Sequence, residues 1–347
     1  MTVIEGRLAR GLGQAADFTQ IDWVRQQLLS LAGIDPHPGT VNLGLADDSN
    51  QQRWRAWRSM PGLAMQAADA SFCNARCYPV RVAGRIPAAV LLPEVAGYPE
   101  DKLEIVAALP LRQHLSLGEG ALVRVEMCRP IVAKAVLFDI DGTLVDSVSA
   151  YLEIARIAAE PHGLEVTMEH VRHSLATGSN FWKGVVPADR QDGAAVMKAM
   201  SALAARNWPR ILRQHGRVFA GLAQTLDALQ RLGIVLGIVS GARPEVLELL
   251  REEGILDRFD AIVLGTDVSR RKPDPEGIVK CLAELGLAAD DAVYVGDTPV
   301  DIQASRAAGV HAVGVLSGAG DSAMLSAQEP DRLLFSHAGL LGVIESG

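Results

Sequence analysis

The chain reads as an α/β protein: a doubly wound parallel sheet with a helical insertion, preceded by a small β-barrel. Three patterns predict this. After about residue 130, short apolar runs alternate with stretches of helical period, the mark of strands joined by crossover helices. Residues 150–215 break that alternation with helical pattern alone. Before residue 130, short β-like pieces rich in Gly and Pro surround one clear helix, which fits a compact barrel with few helices.

The early helix is predicted over Asp22–Ala32, closed by Gly33. Cys128-Arg-Pro-Ile-Val-Ala-Lys134 is a short junction, so the expected domains are 1–128 and 133–347. Strands are predicted at 134–139, 233–239, 260–264, 291–295 and 311–316. Helical stretches lie between them. Pro244–Glu253 places Val246, Leu247, Leu249 and Leu250 on one face, and Glu276–Leu287 follows a similar period. Within the helical insertion, Ala176–Lys183 reads as a loop with several polar groups and one cation, either a discriminator of substrate or a solvated connector.

A chain of 347 residues is long enough for two domains, and 49% apolar content supports a real core. The formal charge of −8 argues against a general nucleic-acid binder but leaves room for a small phosphorylated ligand held in a local cationic pocket. The first residues carry no signal-peptide core and no apolar run approaches a membrane span, so the expected location is the cytoplasm. Cys73 and Cys77 have no matching Cys or His pair and read as core or barrel residues rather than zinc ligands.

The most informative segment is Asp139-Ile-Asp-Gly-Thr-Leu-Val-Asp-Ser147, directly after the apolar run Ala135–Phe138. It puts carboxylates at i and i+2 where a buried strand ends, and in parallel sheets ligands sit at the carboxyl ends of strands. Such a pair can hold a hard cation, attack phosphorus with one acid and move a proton with the other. Three later segments repeat the theme. Ile234–Gly241 is an apolar run ending in Ser240, Arg271-Lys-Pro-Asp-Pro275 follows the apolar stretch Ala261–Leu264, and Ala292–Asp301 again places acids at a strand's end.

This set, in this order, resembles the haloacid dehalogenase (HAD) superfamily of phosphotransferases, of the phosphoglycolate-phosphatase type, over residues 133–347. The resemblance implies that the 150–215 insertion is a helical cap. It implies Asp139 as nucleophile, forming an aspartyl-phosphate, and Asp141 as the acid that protonates the leaving oxygen and then activates water. An acid at 141 favours phosphate esters, because dehalogenases and phosphonate-cleaving members lack it. Ser240, the Gly241 amide, Lys272 and Thr143 are expected around the phosphate, Thr143 orienting the Asp141 side of the loop. Mg2+ is the expected cofactor, with Asp139, the Ile140 carbonyl and Asp297 as ligands. Asp301 either reaches the metal through water or holds Lys272, the second being favoured, and Asp146 and Ser147 are expected to cap the next helix.

Residues 6–16, 35–43 and 103–120 resemble the archaeal CTP-dependent riboflavin kinases, cradle-loop barrels that make FMN. The resemblance implies Gly11, Gly13, Thr40 and Asn42 at a nucleotide site, with Glu104 and Arg112 as further matched positions. The family's acids at two places are here Gln14 and Ala121, and Trp54 and Trp57 either stack on a flavin or fill the barrel mouth. The function expected is a phosphomonoester hydrolase, as a bifunctional riboflavin kinase and FMN phosphatase. The alternative is a phosphoglycolate- or sugar-phosphate-type phosphatase, or a phosphomutase, with a non-catalytic barrel. Expected partners are a small phosphorylated metabolite, with CTP and riboflavin or FMN at the barrel, and no nucleic acid or membrane. A homodimer is left open.

Overall fold

The structure, a computed structural model, describes residues 3–9, 18–68 and 71–347. Gly11, Gly13 and Gln14 lie outside the described residues. The chain forms two compact units, residues 1–130 with 322–335, and 131–321 with 336–347.

In the first unit, strands β1 (Val3–Ala9), β2 (Val41–Gly44), β3 (Leu63–Met65), β4 (Ala75–Val82), β5 (Ile86–Pro93), β6 (Lys102–Val106) and β7 (Leu122–Met127) form one sheet of order β3-β4-β5-β6-β2-β1-β7. Their pairings are antiparallel. A further pairing of β4 with β7, Val80 opposite Met127, closes six of the strands into a barrel and leaves β3 outside it. Closure removes the exposed edges that an open sheet must protect. Strand β5 shows the alternation that builds both sides of the wall. Ile86, Ala88, Val90 and Leu92 join the barrel interior, while Ala89 and Leu91 join a second cluster with Val24, Leu28 and Ala32 of helix α1 (Asp22–Ala32).

A second helix, α2 (Asp48–Arg58), was not anticipated. Asp47 caps it, accepting from the Asn50 amide at 2.8 Å. Trp54 and Trp57, three residues apart on one face, are fully buried in the barrel core with Tyr78. Of the two roles considered for this pair, the structure shows packing. A short helix α3 (Leu111–His114) precedes β7.

The second unit is also not one uninterrupted stretch, because residues 322–335 cluster with the first. Ser322 Oγ donates to the Gly33 carbonyl at 2.8 Å, and Arg81 and Arg85 pair with Asp331 and Glu329 at 3.1 and 2.9 Å. Gly33 is in the left-handed region (φ 66°), and a side chain there would strike the Leu333 backbone.

In the second unit, β8 (Ile131–Ala133) is followed by β9 (Ala135–Phe138), β10 (Val145–Asp146), β11 (Arg217–Val218), β12 (Val235–Ser240), β13 (Ala261–Leu264), β14 (Ala292–Gly296) and β15 (His311–Val315). Within this unit the sheet strands run β13-β12-β9-β14-β15, all parallel, close to the strands read from sequence. Strand β9 lies between β12 and β14, so the order reverses beside it, at the position where ligands bind in doubly wound sheets. Helices α4 (Val148–Ala159), α5 (Met168–Thr177), α6 (Phe181–Val185) and α7 (Gly193–His215) form the cap around Ala155, Val171, Trp182, Val196 and Met200. Its two chain passages, β10 and β11, pair with each other. The expected loop over 176–183 is shorter than read: α5 runs to Thr177, and Asn180 caps α6 by accepting from the Trp182 amide at 3.1 Å. Helices α8 (Leu222–Arg231), α9 (Val246–Glu252), α10 (Glu276–Leu285) and α11 (Pro299–Ala308) complete the core unit. No described helix is long and apolar enough to cross a membrane.

Truncating a buried tryptophan tests whether this pair is core. Trp54→Ala should lower the stability of the barrel unit by about 3–5 kcal/mol, read by urea unfolding. An unchanged transition would show that Trp54 is not a packing residue.

Candidate active site

The carboxyl ends of β9, β12 and β14 converge on one cluster of charge. Asp139 follows β9 directly; its amide donates to the Val295 carbonyl at 2.9 Å and its side chain is buried. The chain then turns through Gly142 (φ 77°), whose amide bonds the Val145 carbonyl at 2.7 Å. The turn is closed on the Ile140 carbonyl, which accepts from the amides of Thr143, Leu144 and Val145 at 3.1, 2.8 and 2.9 Å. That carbonyl, expected as a metal ligand, is the acceptor on which the turn closes.

Asp297 follows β14 and is fully enclosed. Its Oδ1 accepts from Thr143 Oγ1 at 3.2 Å and its Oδ2 from the Ala319 amide at 2.8 Å. Thr143, expected to orient the Asp141 side of the loop and to lie near the phosphate, is fully buried with its hydroxyl turned to Asp297. Gly142 and Gly318 flank Asp297 so closely that a Cβ on either would overlap its carboxylate. Only glycine backbone lets the acid sit there.

Lys272 supplies the balancing charge. Its Nζ lies 2.9 Å from Asp139 Oδ1 and 2.5 Å from Asp301 Oδ1, and donates to Tyr294 Oη at 2.9 Å. The Tyr294 hydroxyl in turn donates a hydrogen bond to the Val239 carbonyl at 2.7 Å. Asp301 serves two ends: Oδ1 meets Lys272, while Oδ2 accepts from the Thr298 amide at 3.0 Å and hydroxyl at 2.5 Å, capping α11. Carboxylate oxygens of Asp139, Asp297 and Asp301 lie within 4.8 Å of one another, a spacing that suits a metal ion. Ser240 and Gly241 stand at the end of β12, whose Ile238 is in register with Phe138 of β9, and Ser240 Oγ accepts from the Ala242 amide at 3.2 Å.

Asp141 faces the cap. Tyr151, on α4, donates to its Oδ2 at 3.0 Å. Ser147 takes the N-cap position of α4 but makes no side-chain cap bond, so its expected capping role is only positional. Burial dominates the electrostatics. It raises Asp139 to about 6 even beside Lys272, raises Asp141 against the pull of Ser147 and Tyr151, and raises Asp297 well above the usual carboxylate range. Burial also works against the Lys272 ammonium, but Asp139 and Asp301 outweigh it and hold the lysine charged.

The barrel unit has its own polar cluster. Asn42 Nδ2 donates to Thr40 Oγ1 at 3.3 Å, so the two residues share a face as their spacing implied. Asn42 is buried, and its Oδ1 has no partner among the described residues. Glu104, opposite Asn42 in the register, pairs with Lys102, and Arg112 donates to the Ala9 carbonyl at 3.0 Å. Thr40 and Arg112 both line a cavity of about 200 Å³.

Sequence reasoning missed Tyr151, Tyr294 and Gly318. Tyr294 did leave a signal, a lone phenol inside the aliphatic strand Ala292–Gly296. Tyr151 and Gly318 act across the fold and left none.

The sequence model for haloacid dehalogenase-like hydrolases matches residues 136–315, just over half of the chain and including every strand end described above. The chain belongs to this family. Residues 8–127 match a second model, described as Domain of unknown function DUF120 and labelled CTP-dependent riboflavin kinase. A phosphoglycolate phosphatase of Yersinia pseudotuberculosis is 30% identical over 215 residues, 61% of this chain and 93% of its own. That of Xanthomonas campestris is 34% identical over 188 residues, 53% of this chain and 84% of its own. A haloacid dehalogenase-like hydrolase from Bacteroides fragilis superposes with a TM-score of 0.51 at 28% identity, covering 59% of this chain and 97% of its own. The enzyme's second unit is accordingly a HAD core and cap, and its first a riboflavin-kinase-like barrel.

Removing the cation from among these acids should be severe. Lys272→Met should destabilise the unit by about 3–5 kcal/mol at pH 7.5, because buried carboxylates lose their partner. Their folded-state affinity for protons is raised by burial, so protonation favours the folded form and the deficit should shrink as pH falls through about 6. Urea unfolding at pH 7.5 and 5.5 measures this, and a deficit independent of pH would contradict the charge cluster.

Proposed function

We propose that the enzyme is a Mg2+-dependent phosphomonoester hydrolase working through an aspartyl-phosphate on Asp139. The observation that carries this reading is the pair Asp139 and Asp141 at the carboxyl end of the central strand, with Lys272 2.9 Å from Asp139. An Asp139 oxygen attacks phosphorus in line while Asp141 gives its proton to the leaving alcohol oxygen, whose bond to phosphorus breaks. In the second half, Asp141 takes a proton from a water that attacks phosphorus, and the bond to Asp139 breaks. Burial raises the Asp141 pKa, which suits an acid that must start protonated. Lys272 offsets charge on the phosphoryl oxygens and on Asp139, and Ser240 Oγ and the Gly241 amide bind those oxygens.

The residues fit a hard divalent cation. Asp139, Asp297 and Asp301 offer only oxygen donors, and Lys272 alone does not balance the charge of all three when ionised. Asp139 and Asp297 would hold the ion, since Asp301 is engaged by Lys272 and the α11 cap. Bound there, Mg2+ would polarise the phosphoryl group and neutralise its charge.

For the barrel, the reading is a site for CTP and riboflavin or FMN. The family match and the buried, unpartnered Asn42 Oδ1 beside Thr40 support it. The two units together would then set a balance between riboflavin and FMN. A second reading rests on the relatives named phosphoglycolate phosphatase, with the barrel as a binding module.

Asp139→Asn should abolish phosphate release, by at least about a thousandfold, with an unchanged circular dichroism spectrum; near-wild-type turnover would sink the proposal. EDTA should remove activity and Mg2+ restore it, and full activity after exhaustive chelation would exclude the metal. In calorimetry with Mg2+ and CTP, Asn42→Ala should weaken binding at least about tenfold. Absence of binding of CTP, riboflavin and FMN to the unaltered enzyme would reduce the barrel to a scaffold.

A further inference from the structure

Beside Asp141 lies a cavity of about 360 Å³, bounded by the cap and by the loops after β12 and β13. That volume is within the range of sites for drug-sized molecules. Its wall is unusual for this chain. Four of the lining residues, Tyr151, Phe181, Trp182 and Trp208, are aromatic, although aromatics make up only 5% of the sequence. Tyr151 and Trp208 lie face to tilted face, their centroids 4.5 Å apart at 33°, and Phe181 meets Trp182 edge-on at 4.8 Å. Ile154, Ala155, Val171 and Val246 fill the wall between them. The Tyr151 phenol that closes this wall also donates to Asp141, so a body packed there lies beside the acid that serves its leaving oxygen.

We propose that the site selects phosphomonoesters whose body carries a planar aromatic ring system, and disfavours those of two- or three-carbon aliphatic acids and alcohols. This rests on the phosphatase reading above and adds the class of substrate. A small polar ester would leave most of the cavity as water against apolar and aromatic surface, whereas a planar ring removes that water and stacks on the tryptophan and tyrosine faces. Arg243 and Arg271 also line the cavity, and neither makes an ion pair among the described residues. A guanidinium plane can lie flat on a ring and bond phosphate through its edge, so both would serve the same ligand.

The test compares four esters of similar intrinsic reactivity, all cleaved at a CH2–O–P oxygen: FMN, pyridoxal 5′-phosphate, glycerol 3-phosphate and phosphoglycolate, each with Mg2+ and the full chain. The better aromatic ester should exceed both aliphatic ones in kcat/KM by at least about tenfold. Trp208→Ala should cut that aromatic-to-aliphatic ratio about tenfold, and Trp208→Phe should restore most of it. Phe181→Ala, at a half-buried position, should lower the ratio in the same direction if Trp208→Ala does not fold. Phosphoglycolate or glycerol 3-phosphate as the fastest substrate overturns the inference, as does a ratio unmoved by both substitutions. Release of phosphate from none of the four defeats the phosphatase reading itself, which is a different outcome.

Discussion

Asp139, Asp297 and Asp301 share a space nearly closed to water with one ammonium group, that of Lys272, and the half-buried Asp141 borders it. Buried carboxylates repel one another and resist ionisation, so this arrangement is expensive unless every acid is held by something specific. The surrounding fold does that holding. The three parallel strands β12, β9 and β14 bring Ser240, Asp139 and Asp297 to the same end of the sheet. Tyr294 and Asp301 fix Lys272, Thr298 fixes Asp301, and Thr143 with the Ala319 amide fixes Asp297. Gly142 and Gly318 leave the room in which that last acid fits.

The same electrostatics links the cap to the core. Asp141 is the acid not held by Lys272 or by a backbone turn; its partner is Tyr151, from the first helix of the cap. The cap therefore does more than enclose a cavity. Through one phenol it sets where the acid side chain lies, and through Trp208, which stacks on that phenol, it connects the acid to the wall against which a substrate body would rest.

Much of this was legible along the sequence because it is local. An acid directly after a buried apolar run marks a strand end, and Asp139, Asp141, Asp297 and the Ser240 position all carry that signal. The parallel sheet and the helical character of the insertion followed from periodicity, and the insertion's place as a cap from the resemblance. What was not legible depends on directions rather than identities. The turn after β9 points the Ile140 carbonyl at its own amides and the Thr143 hydroxyl at Asp297, and nothing in Ile-Asp-Gly-Thr encodes either direction. Helix α2 was hidden because its exposed face is so rich in Arg, Gln and Asn that only two tryptophans and Asn50 carry its buried period. The association of residues 322–335 with the barrel unit rests on pairs separated by some 250 positions, Arg81 with Asp331 and Arg85 with Glu329, which no local pattern foreshadows.

The central claim is that Asp139 becomes covalently phosphorylated, and a trapped intermediate tests it most directly. p-Nitrophenyl phosphate has a leaving group that departs without a proton, so Asp141→Asn should still form the aspartyl-phosphate but hydrolyse it slowly. Acid quenching of that variant with Mg2+ and this ester, followed by peptide mapping in a mass spectrometer, should place one phosphoryl group on the peptide carrying Asp139. Steady turnover with no phosphorylated peptide, or a phosphoryl group on another residue, would contradict the account.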